Sequence, residues 1–242
     1  MEHREYVFAV RSYECGAGGF ATMPSICNYL QEAASLNAEE LGFSKSDFDA
    51  AGGNISWVLT RLAVKMTRYP KWEEKVVVET FPRGGRRIVA WRDFIVKDAS
   101  GAAIGLATSE WMIIDLATRK VVPIPEAVLS LAGDSPESVL GPEPFTARLR
   151  YPEGGGEEAA SRFRAQYSHI DLNGHVNNVH YIEWLLEPLG GKSPHELEAV
   201  FRSETLAGDE VFVAAASGGE PGETYHRVFA ADGKDHALAR TR

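Results

Sequence analysis

Residues 171–189 read DLNGHVNNVHYIEWLLEPL, a run in which polar groups stand directly ahead of an apolar stripe with helical spacing. The stripe consists of Val176, Val179, Ile182, Leu185, Leu186 and Leu189. Residues 171–175, ahead of the stripe, supply a carboxylate, a carboxamide, a glycine and an imidazole. The run predicts an amphipathic helix from about His175 to Leu189 that begins among reactive side chains.

The polar residues at the start of this helix allow two interpretations. The first turn of a helix stabilises anions, such as the one that develops on a carbonyl oxygen under attack. In a functional site, Gly174 would let a ligand approach the backbone, and Asn173 would cap the helix or hold a water. Asp171 and His175 would then do acid–base work. Alternatively, Asp171 and Asn173 form only a turn and a cap. Their joint occurrence with Asn177-Asn178 favours function.

The composition is that of a soluble globular protein. The chain has 242 residues, 44% hydrophobic content and a formal net charge of -9, which suits one large domain or two small ones. We expect a cytoplasmic protein with no membrane span, because neither a long apolar run nor a leader-like start occurs. An acidic chain is a poor partner for nucleic acid. Cys15 and Cys27 fit neither a disulfide framework nor a metal pattern.

Basic residues nevertheless crowd one part of the first half. They are Lys65, Arg68, Lys71, Arg83, Arg86, Arg87 and Arg92. Such a strip could steer an acidic partner. It is equally compatible with solvated strand edges and loops.

Both halves of the chain show the same order of elements, a helix followed by strands. In the first half a helix is predicted from about Met23 to Leu41, with Thr22 at its start. Strands are predicted after it at 55–65, 75–81, 89–97 and 102–115. In the second half the strands are predicted at 196–205, 210–217, 224–231 and 237–241.

This repetition predicts an α+β protein of two units, each an antiparallel sheet wrapped around its own helix. A segment rich in Pro, Gly and acidic residues separates the halves, from about residue 117 to 160. We assign residues 1–125 to the first unit, 126–160 to a surface linker and 161–242 to the second unit. Two unrelated α+β domains remain an alternative.

Seven segments carry a resemblance to a known family. In the first half they are 29–34 (YLQEAA), 57–61 (WVLTR), 111–115 (WMIID), Thr118-Arg119 and 123–125 (PIP). In the second half they are 171–178 and 181–184 (YIEW). These segments resemble the acyl-acyl-carrier-protein (acyl-ACP) thioesterases, a branch of the hotdog-fold thioesterases. The resemblance covers nearly the whole chain.

The resemblance implies a tandem (double) hotdog, each half an antiparallel sheet around a long central helix. It also implies hydrolysis of the thioester between a fatty acyl chain and the phosphopantetheine arm of acyl carrier protein, without metal or organic cofactor. By motif position, the family's catalytic residues fall on Asp171, Asn173 and His175. A further acidic residue, on the strand after the second helix, falls on Glu204.

One departure from the plant members bears on mechanism. The cysteine that follows the acidic residue in those proteins is Thr205 here. A cysteine–histidine acyl-enzyme would need a thiolate beside His175. We therefore predict that a carboxylate, Asp171 or Glu204, activates water or attacks directly, while His175 and Asn173 position the reactants. Backbone N–H groups at the start of the second helix would receive the oxyanion.

The first half lacks the Asp-x-Asn-Gly-His pattern, so we predict one active site per chain, with the first half accommodating the acyl chain and the carrier. The predicted substrate contacts are Gly174, Val176, Trp57, Arg83, Arg86 and Arg87. Two alternatives stay open: an acyl-CoA thioesterase of the same fold, and a hotdog that binds lipid or a protein partner without catalysis. A homodimer is compatible with either.

Overall fold

In the computed structural model, which describes residues 3–131, 137–154 and 161–242, the first predicted helix is present. This helix, α1, spans Met23–Glu40. The Thr22 side chain caps it by accepting a hydrogen bond from the Ser25 backbone N–H at 3.4 Å. Ile26 and Leu30 are among its buried residues, and each large apolar side chain contributes about 1.5–3 kcal/mol on burial. The predicted start of α1 is therefore confirmed.

The first unit, Met1–Pro144, contains an antiparallel sheet in the order β1-β3-β4-β5-β2. Its strands are β1 (Arg4–Ala9), β2 (Ile55–Met66), β3 (Lys75–Arg86), β4 (Val89–Asp98) and β5 (Ala103–Asp115). A short strand, β6 (Val121–Val122), pairs with β5. Two short helices are α2 (Lys45–Ala50) and α3 (Glu126–Leu129), and a 3₁₀ helix covers Ser12–Glu14. Helix α1 packs on β3 and β1.

The second unit, Phe145–Arg242, repeats this plan on a smaller scale. Its strands are β7 (Ser161–Arg164), β8 (Glu196–Phe201), β9 (Glu210–Ser217), β10 (Thr224–Phe229) and β11 (Asp235–Thr241). They form the order β8-β11-β10-β9-β7. Helix α4 (Asn178–Leu186) packs on β9, β10 and β11. The predicted repeat of a helix and an antiparallel sheet is confirmed.

Two predicted boundaries in the second unit are wrong. Helix α4 begins at Asn178, not near His175. A 3₁₀ helix at Glu187–Leu189 follows α4. Gly190, whose φ is +62°, is its C-cap. Strand β8 ends at Phe201, so Glu204 lies in the loop after the strand and not on it.

The segment predicted as a linker has structure of its own. It includes α3, and the Val139 N–H donates to Asp93 Oδ2 on β4 at 2.8 Å. Contacts divide the chain after Pro144, and the predicted boundaries at 125 and 160 stay a proposal. Within the described residues, no helix combines the length and apolar composition needed to cross a bilayer.

Candidate active site

The run from Ile170 to Val176 forms a closed turn before α4. Ile170 and Val176 make an isolated antiparallel bridge. The Asp171 N–H donates to the His175 carbonyl at 2.8 Å, and the Gly174 N–H donates to the Asp171 carbonyl at 3.0 Å. The Asp171 carboxylate accepts the Asn173 N–H at 2.8 Å, the pattern of an Asx-turn. Asp171 therefore holds the turn closed.

Gly174 is required by the backbone conformation of this turn. Its φ is +82°, in the left-handed region that costs residues with a Cβ atom about 1 kcal/mol or more. A Cβ placed there would meet no atom within 4 Å. The structure thus explains the glycine by its φ and not by a close neighbour.

The cap of α4 is Asn177, not Asn173. The Asn177 side chain accepts the Val179 N–H at 2.9 Å. The Asn177 N–H donates to the His169 carbonyl at 2.9 Å, and the Val176 N–H donates to the Thr205 carbonyl at 3.0 Å. Because these three N–H groups already have protein acceptors, they are not the oxyanion donors that the sequence led us to expect.

Two loops place the predicted acidic residue beside the predicted histidine. The Val176 N–H to Thr205 carbonyl bond joins the turn to the loop after β8, and the Ala165 N–H donates to the Asp209 carbonyl at 2.9 Å. Next to the first of these links, His175 Nε2 lies 3.2 Å from Glu204 Oε2. The His175 side chain is 19% exposed and the Glu204 side chain 42% exposed. The pair is therefore open to solvent on one side.

Three neighbours of this pair differ sharply in exposure. Thr205, at the position of the plant cysteine, is fully buried, so its hydroxyl is not presented to a substrate. Val176 is also buried, at 4% exposure, and acts as a packing residue of the turn. Leu172 is 98% exposed at the tip of the turn.

Sequence reasoning missed the groups that hold the Glu204 loop. The Tyr181 hydroxyl donates to the Ser203 carbonyl at 3.4 Å, and burial raises the pKa of Tyr181 to about 12. Ser203 Oγ lies 2.9 Å from His236 Nδ1. Tyr181 belongs to the YIEW segment, which offered a signal, whereas nothing in the sequence around His236 did.

The predicted substrate contacts of the first unit have different surroundings. Trp57 donates its indole N–H to the Phe43 carbonyl at 2.8 Å and packs against the core around Phe48. Arg83 Nε lies 3.2 Å from Asp93 Oδ1, and the two side chains are 9% and 0% exposed. The Arg83 charge is thus engaged inside the unit.

Arg86 and Arg87 are exposed at the turn between β3 and β4. The Arg86 guanidinium lies 5.6 Å from the centre of the Trp91 ring. Of the three predicted arginines, these two have the exposure that a docking role needs. Their role stays a prediction.

A cleft of about 510 Å³ in the second unit has a basic lining that does not include the predicted catalytic residues. Arg148, Arg150, Arg202, Arg227 and Asp235 contribute to it. Asp235 pairs with Arg202 at 2.9 Å and with Arg227 at 3.0 Å. We base the candidate site on the His175–Glu204 geometry, because the cleft lacks a comparable acid–base pair. In the described part of the chain, no group of three or more His, Cys, Asp or Glu residues could hold a metal ion.

Comparisons with known proteins agree with this picture. Residues 3–132 match the model for the acyl-ACP thioesterase N-terminal domain, and residues 154–242 match the model for the C-terminal domain. The two loops and the His175–Glu204 pair fall within the second match. The protein is also similar to the chloroplastic oleoyl-acyl carrier protein thioesterase 2 of Arabidopsis thaliana. Identity is 32%, over 96% of this chain and 68% of that protein.

Two further relatives extend the comparison. The chloroplastic oleoyl-acyl carrier protein thioesterase of Coriandrum sativum is 34% identical over 80% of this chain, which spans 56% of that protein's length. The crystal structure of an acyl-ACP thioesterase from Bacteroides thetaiotaomicron is 26% identical, with a TM-score of 0.85 over 99% of this chain and 96% of that one. The fold is therefore the predicted double hotdog, and the chain belongs to the acyl-ACP thioesterase family.

Proposed function

We propose that this protein hydrolyses the thioester of a fatty acyl-acyl carrier protein and releases the free fatty acid. The family matches support this reaction class. The observation that carries the proposal is the 3.2 Å contact between His175 Nε2 and Glu204 Oε2. It joins a carboxylate and an imidazole, the two groups that most often move protons in enzymes, at a place open to solvent.

In the proposed reaction Glu204 is the general base. Its carboxylate takes a proton from water while the water oxygen attacks the thioester carbonyl carbon. The tetrahedral oxyanion then collapses, the carbon–sulfur bond breaks, and the proton returns through His175 to the departing sulfur. Asp171 is the weaker candidate for the base because its carboxylate closes the turn by accepting the Asn173 N–H. A positioned base of this kind contributes about 10²- to 10⁴-fold.

The oxyanion needs a donor other than the Val176, Asn177 and Val179 N–H groups, which have protein acceptors. We assign this role to the side-chain amide of Asn173, which lies in the same turn as His175. One such donor typically supplies roughly 3 kcal/mol of transition-state stabilisation. Asn173→Asp, which replaces the amide donor by a carboxylate, should therefore lower kcat more than it raises KM.

Labelled water separates the two carboxylate routes. If Glu204 attacks the thioester directly, a mixed anhydride forms, and water that attacks the Glu204 carbonyl carbon of this anhydride leaves labelled oxygen in the Glu204 side chain. If Glu204 activates water, the label enters only the fatty acid. We expect the second result. Mass spectrometry of the peptide that contains Glu204 makes the distinction.

The decisive experiment for the reaction compares matched acyl-carrier and acyl-CoA substrates with the purified protein. We expect a higher kcat/KM on the carrier substrate. A strong preference for CoA would replace the carrier in the proposal by CoA. Binding without turnover of either substrate would support the non-catalytic alternative and overturn the hydrolysis. The fatty acids released would also define the chain-length preference. A cytoplasmic location and a homodimer stay predictions, and light scattering of the purified protein tests the dimer.

A further inference from the structure

The backbone on both sides of Glu204 is anchored by hydrogen bonds. On the far side, the Thr205 carbonyl accepts the Val176 N–H at 3.0 Å. On the near side, the Arg202 N–H donates to the His236 carbonyl at 2.8 Å, and the Ser203 N–H points at the same carbonyl at 3.3 Å. Ser203 and Thr205 are thus held from different elements. The position of the Glu204 carboxylate depends on both anchors.

The near anchor comes from an irregularity in β11. Val228 of β10 pairs with Ala237, whereas the next residue, Phe229, pairs with Asp235. His236 is therefore the extra residue of a β-bulge, a feature that redirects a side chain out of the regular alternation. The His236 side chain is aimed at Ser203, and the residue is 8% exposed.

The hydrogen bonds around Ser203 indicate which nitrogen of the His236 ring carries the hydrogen. Ser203 Oγ lies 3.2 Å from the Asp235 carbonyl and 2.9 Å from His236 Nδ1. His236 Nδ1 also lies 3.4 Å from the Ser203 carbonyl. If Nδ1 carries the hydrogen, it donates to Ser203 Oγ, and the Ser203 hydroxyl donates to Asp235. If Nδ1 lacks the hydrogen, its lone pair faces the Ser203 carbonyl. The first arrangement gives Nδ1, the Ser203 hydroxyl and the Asp235 carbonyl a partner each.

The surroundings keep this ring neutral at neutral pH. Burial lowers the pKa of His236, against the raising effect of the Ser203 carbonyl. Lys234 lowers the same pKa further, while Asp209 and Asp232 raise it. A neutral ring with its hydrogen on Nδ1 is therefore the form that faces Ser203.

We propose that His236 is a positioning residue for Glu204: its Nδ1–H group holds Ser203, and Ser203 in turn fixes the carboxylate of Glu204 next to the imidazole of His175. This inference rests on the proposed function of Glu204 as the base. His236 itself touches no reacting atom. The β-bulge lies at the start of β11, beside the end of β8, and so aims His236 at the loop that carries Glu204.

Two substitutions at His236 test the role of the Nδ1–H group. His236→Leu removes the donor but keeps a similar shape, whereas His236→Asn keeps an N–H donor at the same number of bonds from Cα as Nδ1. We expect His236→Leu to lower kcat by about 10- to 100-fold with little change in KM, because a displacement of about 1 Å can cost 10²-fold. His236→Asn should keep most of the wild-type kcat.

A substitution at Ser203 removes the other partner of the hydrogen bond with His236 Nδ1. Ser203→Ala should lower kcat in the same way, and the double variant His236→Leu with Ser203→Ala should lose little more than either alone, since both remove one interaction. His226→Gln is the matched control. His226 is a fully buried histidine of β10 whose Nε2 lies 2.9 Å from Thr241 Oγ1.

The crystal structure of the His236→Leu variant supplies a measurement that does not depend on turnover. We expect the Glu204 Oε2 to His175 Nε2 distance to exceed the 3.2 Å of the wild-type protein. An unchanged distance, or a kcat equal to that of His226→Gln, overturns the positioning role. Equal losses for His236→Leu and His236→Asn do the same. If the wild-type protein hydrolyses no thioester, the proposed function fails, and the crystal structure still decides the positioning.

Discussion

The Nε2 atom of His175 lies 3.2 Å from the Oε2 atom of Glu204, although 28 residues and the whole of α4 and β8 separate them along the chain. That distance is at the outer limit of a hydrogen bond. It brings together residues from two loops of the second unit. Either residue by itself could equally be a solvated surface side chain. The contact between the two is what identifies a candidate reactive pair.

Removing the charge of Glu204 tests whether this pair is the chemical centre. We expect Glu204→Gln to lower kcat by about 10²-fold or more, since a general base is lost. Asp171→Asn should have a smaller effect, because a carboxamide oxygen can still accept the Asn173 N–H. Steady-state kinetics on an acyl-carrier substrate give both values.

The control for Glu204 is Glu183→Gln, which alters another histidine–carboxylate pair of the same unit. Glu183 Oε2 lies 2.7 Å from His180 Nδ1, and we expect normal turnover from this variant. If Glu204→Gln folds normally and hydrolyses the substrate at the wild-type rate, the proposed chemistry is wrong.

Charge reversal at Arg86 and Arg87 tests carrier docking. We expect Arg86→Glu with Arg87→Glu to reduce kcat/KM on an acyl-carrier substrate by about tenfold or more at low salt, because steering by exposed charge changes association rates by 10- to 10³-fold. The loss should shrink as salt is added. A small thioester should be hydrolysed almost normally.

The matched control carries the same change of charge on exposed lysines of the same unit that lie outside the basic strip, Lys75→Glu with Lys120→Glu. Equal losses in the two double variants, or equal losses on carrier and small substrates, would remove Arg86 and Arg87 from the docking surface. Arg83 is left out of this test because its guanidinium pairs with Asp93.

The buried pair of Arg83 and Asp93 makes a prediction about stability. Asp93 also accepts the Thr108 hydroxyl at 2.5 Å and the Val139 N–H at 2.8 Å. Asp93→Asn should lower the free energy of unfolding by about 3–5 kcal/mol, because removing one charge of a buried ion pair is strongly destabilising. Urea denaturation measures the change. The exposed pair of Lys45 and Asp49 is the comparison, and Asp49→Asn should cost no more than about 1 kcal/mol.

His226 makes a prediction about acid sensitivity. Burial lowers the pKa of His226 from 6.5 to about 4. In the unfolded chain the ring binds a proton below pH 6.5, whereas the folded protein binds it only near pH 4. The contribution of His226 to the free energy of unfolding is therefore fully present above pH 6.5. It decreases as the pH falls, by about 3 kcal/mol on reaching pH 4.

Urea denaturation at several pH values checks this window. The His226→Gln variant should lose less stability than the wild-type protein between pH 6.5 and pH 4, because glutamine does not titrate. Parallel losses in the two proteins would contradict the assignment to His226.

Local signals in the sequence were enough to predict the two long helices and most strands. Thr22 marked the start of α1, and runs rich in Val, Ile, Trp and Thr, separated by Gly or Pro, marked most of the strands. The start of α4 was misplaced because Asn173 and Asn177 are equally good caps by residue type. The choice between them depends on the Val176 N–H, which pairs with Thr205 from a distant loop.

The motif residues of the candidate site could be predicted from the sequence, but the residues that hold them in place could not. The family motif identified His175 and Glu204, which the structure brings together. The place of Glu204 beyond β8 and the pairing of Arg83 with Asp93 arise from tertiary contacts. His236 could not be found from the sequence, because its direction results from a change of register between two strands.

Leu172 offers a way to watch this region directly. Its side chain projects from the tip of the turn at 98% exposure, so exchanging it removes no packing. Leu172→Cys, made after Cys15→Ser, would carry a fluorescent label between Asp171 and Asn173, while buried Cys27 stays shielded from the reagent. The arrival of a substrate could then be followed in real time as a change in emission.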